Sequence, residues 1–282
     1  MPMVAQKMPY TLFIVDDDEP MNPREDCDPF GKMVCWHRRY NLGDEHDHGD
    51  PSGFLADLCR GSVPNDELIQ MIKENRFEYL RFVPDEEEPE TYHLESYDDH
   101  FNKWYSEGTF ETSDFQMYDM LLDAALPNLK NSELLNLIGD YNVILPLYLY
   151  DHGGITMNTG GFSCPWDSGQ VGWIYASYED VRKEYGSLDL DRAESLLKSE
   201  VESYDHYLTG QCYGFKLYEN DNEIDSCWGF FGDISDVKDS IKSHLPSDCN
   251  NIIDFLEYHS EVDEDEYLDQ SLEAEDEDEM EM

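Results

Sequence analysis

The stretch 141–159, "YNVILPLYLYDHGGITMNT", is the most apolar part of the chain and decides how its fold is interpreted. Val143 to Tyr150 is predicted to form a buried strand, with Pro146 at a bulge or at a sheet edge. The letters "DHGG" have the composition of a tight turn, and "ITMNT" is predicted to return as a second strand. Because "VGWIYAS" at 171–177 has the pattern of a further strand, this region predicts an antiparallel sheet.

Further strands and helices are predicted on both sides of this hairpin, and 41–53 has the composition of a loop. The order of the elements predicts an α+β fold, mainly antiparallel sheet with flanking helices and an acidic C-terminal tail. Apolar runs or alternation predict strands at 10–15, 32–40, 211–219 and 223–233. Helical spacing of apolar residues predicts helices at 66–80, 114–126, 132–140, 177–186, 189–210 and 233–245.

Composition divides the 282 residues, 40% of them apolar, into four parts. Residues 1–83 form a predicted N-terminal α+β part, and residues 116–260 form the predicted main α+β part. Between them, 84–115 is polar and acidic and is interpreted as an insertion. Residues 261–282 hold 13 acidic and no basic residues, which is typical of a disordered tail.

The charge is the most unusual property of the chain. It has 65 acidic and 18 basic residues, a net charge of -47, and the acidity extends well beyond the tail. Such a chain lacks the basic surface that binding to bare nucleic acid or to an anionic membrane requires, so both partners are excluded. Its aromatic content of 13% indicates a folded protein rather than a disordered acidic polymer.

Cysteine usage indicates the compartment. Seven cysteines, an odd number without a CxxC pair, are typical of reduced thiols in a cytoplasm. No segment has the length and apolar character of a signal peptide or a transmembrane span. We therefore expect a cytoplasmic protein.

The motif "FSCPWDSGQVGWIY" at 162–175 contains a candidate nucleophile, Cys164. A thiol enzyme would need a base within hydrogen-bond reach, and His152, oriented by Asp151, is the candidate. The alternative is a structural corner, in which the proline stiffens the turn and Trp166 fills the core. A recognition loop is the third interpretation, and the sequence leaves all three open.

The loop "GDEHDHGD" at 43–50 contains a candidate metal site. His46 and His48 alternate, so in an extended segment their imidazoles point the same way, and Asp44 and Asp50 could add oxygen ligands. A solvated acidic loop is the alternative interpretation. We expect no cofactor in the leading interpretation of the chain.

Arg38 and Arg39 lie near the end of the predicted strand at 32–40 and belong to a set of only eight arginines. In so acidic a chain they are expected to neutralise internal carboxylates. Binding of an external anion is the alternative.

The carboxylates themselves form a candidate partner surface. Duplex DNA carries one charge per about 1.7 Å of axis, so 47 unit charges correspond to roughly 80 Å of duplex. Carboxylates on a rigid core can imitate that field, whereas acidity for solubility or for a saline cell is the alternative. The residues predicted to contact a partner are Asp98, Asp99, Glu194, Glu200, Glu202 and the tail acids that begin at Glu261.

Several strings resemble a family of phage and mobile-element proteins of uncharacterised function. They are "NPREDCDPFGKMVCWHRRYNLGDEHD", "LPLYLYDHGGITMNTGGFSCPWDSGQVGWIYAS", "SEVESYDHYLTGQCYGFKLYE" and "IDSCWGFFGD", which cover about half of the chain. The resemblance implies a phage-type origin and the host cytoplasm, and it implies no established enzyme activity. By analogy with antirestriction and anti-CRISPR proteins that imitate DNA, it suggests an anti-defence protein.

The leading hypothesis is a non-enzymatic inhibitor of a host defence nuclease or another nucleic-acid-binding protein. The first alternative is an enzyme, either a metal-dependent hydrolase that uses 44–50 or a thiol enzyme that uses Cys164. The second alternative is an oligomeric scaffold, and a homo-oligomer is also compatible with inhibition. The aromatic residues that could build an oligomer interface are Tyr148, Tyr150, Trp173, Tyr175 and Trp228.

Overall fold

The computed structural model describes residues 3–111, 117–220 and 222–258, and it confirms the α+β class with antiparallel sheets flanked by helices. The strands are β1 (Met3–Lys7), β2 (Tyr10–Asp16), β3 (Lys32–Cys35), β4 (Leu80–Pro84), β5 (Thr91–Asp98), β6 (Lys103–Glu111), β7 (Asn142–Asp151), β8 (Ile155–Asn158), β9 (Ser168–Ser177), β10 (Cys212–Glu219), β11 (Asn222–Phe231) and β12 (Glu257–Tyr258). The α-helices are α1 (Pro51–Ser62), α2 (Asn65–Lys73), α3 (Met117–Ala125), α4 (Asn131–Gly139), α5 (Tyr178–Tyr185), α6 (Leu190–Thr209) and α7 (Ile234–His244). The predicted tail 261–282 and Glu261 lie outside the described residues.

A four-stranded sheet with the order β3-β9-β7-β8 contains the hairpin that the apolar stretch predicts. β8 pairs only with residues 148–151 of β7, so Pro146 has β9 on one side and no strand on the other. A register shift follows at Leu147/Tyr148. The proline therefore lies where β7 has a strand on one side only and next to a register shift, as the prediction of a bulge or an edge requires.

Helix α6 covers one face of this sheet. Asp189 caps its N-terminus and Gly210, in the left-handed region at φ 71°, ends it. Leu197, Val201 and Tyr204 project from one side of the helix into a core that includes strands β3, β7 and β9. The predicted amphipathic helix at 189–210 is thus confirmed.

A five-stranded sheet, with the order β11-β10-β2-β1-β12, joins the two ends of the described chain. The predicted β10–β11 hairpin is present, whereas β1 was not predicted from the sequence. Helix α7 and a 3-10 turn at Asn250–Phe255 supply Ile241 and Ile252 to the core under this sheet. Pairing of β2 with β10 brings residues far apart in sequence into one element.

The segment predicted as a polar insertion, 84–115, contributes to a three-stranded sheet with the order β4-β5-β6. Leu94 and Phe110 are buried in the core that helices α1 to α4 share. The predicted division at 83, 115 and 260 stays a prediction.

Three boundaries differ from the prediction. The strand predicted at 32–40 ends at Cys35, and the helix predicted at 66–80 ends at Lys73, before β4. Helix α1 occupies part of the predicted loop, because Asp50 accepts hydrogen bonds from the N–H groups of Ser52 and Gly53 and so caps it. Among the described residues, no helix combines the length and apolar character needed to cross a membrane.

Candidate functional site

The candidate surface consists of carboxylates that have no basic partner. With 18 basic residues for 65 acidic ones, one-to-one pairing leaves 47 carboxylates without a basic partner. Carboxylates that are exposed and also ordered are the best candidates for contact with a partner. Ordered groups lose less conformational entropy when they bind.

A fixed acidic turn connects β4 to β5, and we call Glu86, Glu87, Glu88 and Glu90 the acidic turn. All four side chains are exposed. Asp85 organises the turn, because its carboxylate accepts hydrogen bonds from the N–H groups of Glu87 at 2.8 Å and Glu88 at 3.0 Å. The predicted contact residues do not include this turn, although its repeated acids are visible in the string "DEEEPE".

The strand behind the acidic turn also holds Asp85. His93 lies 2.8 Å from its second carboxylate oxygen, and Asp85 N–H donates to the Thr91 carbonyl at 2.8 Å. The His93 hydrogen bond, followed by the two backbone N–H groups, lowers the pKa of Asp85 to about 2. Asp85 thus remains ionised in neutral solution and holds the backbone of the turn at Glu87 and Glu88.

Three of the predicted contact residues are engaged locally. Asp98 accepts hydrogen bonds from two N–H groups in the β5–β6 turn, and Asp99 pairs with Lys130 at 2.7 Å. Glu194 pairs with Lys198 one helical turn away, at 2.6 Å. The two ion pairs are exposed enough to exchange partners. All three residues stay predictions.

Glu200 is turned inward and belongs to the fold. Its carboxylate lies 3.2 Å from the buried Arg24 guanidinium and accepts hydrogen bonds from Phe30 N–H at 2.6 Å and Gly31 N–H at 3.0 Å. Its side chain is only 15% exposed. By contrast, Glu202 is exposed on the next position but one of the same helix.

The four predicted metal ligands do not converge. Asp44 forms a two-point ion pair with Arg24, with N–O distances of 2.8 and 3.0 Å. His46 Nε2 donates to the Cys35 carbonyl at 2.9 Å, and Asp50 caps α1. His48 lies 5.7 Å from His46, ring to ring, but faces Asp57 at 3.4 Å. Within the described ranges, no group of three or more His, Cys, Asp or Glu side chains could hold a metal ion.

The Cys164 corner brings some of the predicted side chains together. Asp167 lies between the Cys164 thiol, at 3.6 Å, and His152 Nδ1, at 3.4 Å. The thiol and the imidazole thus share one oxygen of Asp167, and among the described residues no hydrogen bond joins the thiol directly to the base that a nucleophile would need. Asp151, the predicted orienting acid, instead pairs with Arg39.

The expectation that Trp166 fills the core is wrong. Its side chain is 92% exposed, because the turn that follows Pro165 presents it to solvent. Trp173, four residues into β9 from Gly169, is the buried indole of this motif and is 6% exposed. Ser168 closes the corner, since its hydroxyl donates to the Cys164 carbonyl at 2.5 Å.

Three of the remaining thiols, Cys35, Cys59 and Cys212, are buried structural groups. All seven cysteines lie in the described ranges and form no disulfide. Burial raises the pKa of Cys35 to about 12, and it raises the pKa of Cys59 and of Cys212 to about 11. A raised thiol pKa opposes formation of the reactive thiolate.

The aromatic residues predicted for an oligomer interface differ in exposure. Trp173 is buried, and Tyr148, Tyr150 and Tyr175 are partly buried in the four-stranded sheet. Trp228 on β11 is 46% exposed and covers Gly214 of the neighbouring strand.

Comparisons with protein-family models, with curated proteins and with solved structures found no match for the chain. The resemblance to the phage family and the activity of the chain therefore stay predictions. The acidic turn is a candidate site because of its geometry alone.

Proposed function

We propose that the chain is a non-enzymatic, phage-type inhibitor that binds a nucleic-acid-processing defence enzyme of its host. Binding takes place in the host cytoplasm and uses carboxylates that stand in for the phosphates of DNA. The observation that supports this proposal best is the acidic turn, in which four exposed glutamates follow a carboxylate held by three hydrogen bonds.

The mechanism follows from how enzymes hold DNA. A DNA-binding enzyme gains much of its affinity from lysines and arginines that replace counterions on phosphate groups. Carboxylates at fixed positions offer those side chains an alternative partner without a cleavable backbone. The protein therefore occupies the nucleic-acid site and excludes the substrate.

The acidic turn is a better candidate than the tail. Ordering a flexible segment costs conformational entropy, whereas Glu87 and Glu88 belong to a turn whose backbone N–H groups are already bonded to Asp85. Among the described residues, no lysine or arginine forms an ion pair with Glu86 or Glu87.

The first experiment identifies the target by pull-down from host extract, with and without competing duplex DNA. A target that binds through its nucleic-acid site is released by the duplex. Its affinity for the protein should fall as salt increases from about 0.1 M to about 0.5 M, because salt screens the attraction.

The second experiment removes four charges in two different places. The variant E86Q/E87Q/E88Q/E90Q neutralises the acidic turn, and the control E179Q/E184Q/D239N/E257Q neutralises four exposed acids elsewhere. We expect the first variant to bind the captured enzyme at least about tenfold more weakly than the control, a difference of about 1.4 kcal/mol. Equal affinities of the two variants, or an affinity that does not respond to salt, would contradict the proposal.

A further inference from the structure

Trp166 is exposed to an unusual degree on a turn that is well held. Its side chain is 92% exposed, whereas the other exposed large apolar side chains of the described part of the chain reach at most 64%. Asp151 N–H donates to the Asp167 carbonyl at 2.8 Å, and the Ser168 hydroxyl donates to the Cys164 carbonyl. The indole is therefore presented by an ordered frame, and tryptophan on such a frame is typical of a binding anchor.

A groove lined by aromatic, polar and charged side chains lies near this turn. It has a volume of about 1010 Å³, and Trp36, His37, Arg38 and Tyr40 line part of it. The rings of His37 and Tyr40 are stacked, with centroids 5.0 Å apart and an interplanar angle of 6°. We call this feature the 36–40 groove, and its aromatic surface is chemically suited to an indole ring.

The groove and Trp166 are adjacent on the surface. Arg39, which lies between Arg38 and Tyr40 of this segment, pairs with Asp151. Asp151 in turn is hydrogen-bonded to Asp167, the residue that follows Trp166. One face of the molecule thus carries both a projecting indole and a cavity large enough to receive one.

The same face carries basic as well as acidic side chains. Arg38 and Arg39 are both exposed, and within the described ranges Arg38 forms no ion pair although the chain has 65 acidic residues. Glu25 and Glu45 also line the 36–40 groove. For a chain of net charge -47, this is a face on which a second copy can approach with reduced repulsion and find carboxylates for its arginines.

We propose that the protein forms a two-fold homodimer in which Trp166 of each copy enters the 36–40 groove of the other. A two-fold interface requires one patch to be complementary to itself. A patch that contains both the projecting Trp166 and the 36–40 groove meets that requirement. In the dimer the indole packs against the groove rings, and Arg38 faces the Glu25 and Glu45 carboxylates of the second copy. This inference does not rest on the proposed inhibition.

The test is the mass of the full chain in solution, measured by sedimentation velocity over a wide dilution series. The monomer has a mass of 32.9 kDa, and we expect a reversible transition to twice that mass. Trp166→Ala should weaken dimerisation at least about a hundredfold, because the substitution removes the anchor twice in a two-fold interface.

Trp228→Ala is the matched control, since Trp228 is a partly exposed indole on the five-stranded sheet. It should dimerise like the unmodified chain, and circular dichroism should show that both variants fold. A second variant, Arg38→Glu, should also weaken the dimer while leaving Trp166 intact. A chain that stays monomeric throughout the series would overturn the proposal, as would equal weakening by the two tryptophan substitutions.

Discussion

Replacing Glu200 by glutamine distinguishes a carboxylate that stabilises the fold from one that faces a partner. One oxygen of Glu200 accepts Phe30 N–H, and the other accepts Gly31 N–H and the Arg24 guanidinium. Glutamine has one oxygen and one NH₂ group, so its NH₂ necessarily faces donors at one of these two ends. The substitution therefore leaves at least one buried donor without an acceptor.

The size of the effect follows from these contacts. Removing one partner of a buried ion pair costs about 3–5 kcal/mol, but Arg24 keeps its two-point pair with Asp44. The loss is then close to that of one or two hydrogen bonds to a charged group, about 2–3 kcal/mol. For a chain of this size, such a loss lowers Tm by about 5–10 °C.

Urea unfolding at neutral pH, followed by circular dichroism, measures the free energy. Glu202→Gln is the control, because it removes the same charge from an exposed position of the same helix. Its free energy of unfolding should stay within about 0.5 kcal/mol of the unmodified value. If Glu200→Gln also stays within that limit, the inward ion pair contributes nothing and the reasoning is refuted.

Two further predictions concern Asp85 and Gly172. The pKa of Asp85 is lowered to about 2 from its ordinary 3.8, so its contribution to stability is full above about pH 4 and is lost as the pH falls toward about 2. In urea unfolding, the difference between the unmodified chain and Asp85→Asn should shrink over this window, and a difference independent of pH would contradict the assignment. Gly172→Ala would place a Cβ 1.9 Å from the Val34 carbonyl oxygen, so we expect a loss of about 3 kcal/mol as β3 and β9 move apart. Gly169→Ala meets nothing within 4 Å and is the control, and equal melting temperatures of the two variants would exclude the clash.

The elements predicted well from the sequence are those whose signals are local. The apolar run of β7, the turn after it and the glycine that ends α6 each act within a few residues. Helix α1 was missed although its signal was also local: Asp50 followed by Pro51 is a typical helix start, but the surrounding acids and histidines resemble a loop.

Other features depend on residues far apart in sequence. β1 is short, and its pairing with β12 joins positions more than 250 residues apart. Glu200 looked like an exposed helix acid because Arg24, its partner, lies 176 residues away. The exposure of Trp166 depends on which side of a turn the side chain takes, and composition carries no information about that choice.

Salt should have opposite effects on the two proposed interactions, because long-range electrostatics attract the enzyme to the acidic turn but repel a second copy of the chain. Screening weakens the attraction between the acidic turn and a basic enzyme, so that affinity falls as salt rises. Two copies of net charge -47 repel each other over a distance, and salt screens this repulsion while burial of Trp166 remains favourable. Dimerisation should therefore strengthen over the same range in which inhibition weakens. If both affinities fall together, ion pairs of Arg38 hold the dimer and the indole is not its anchor.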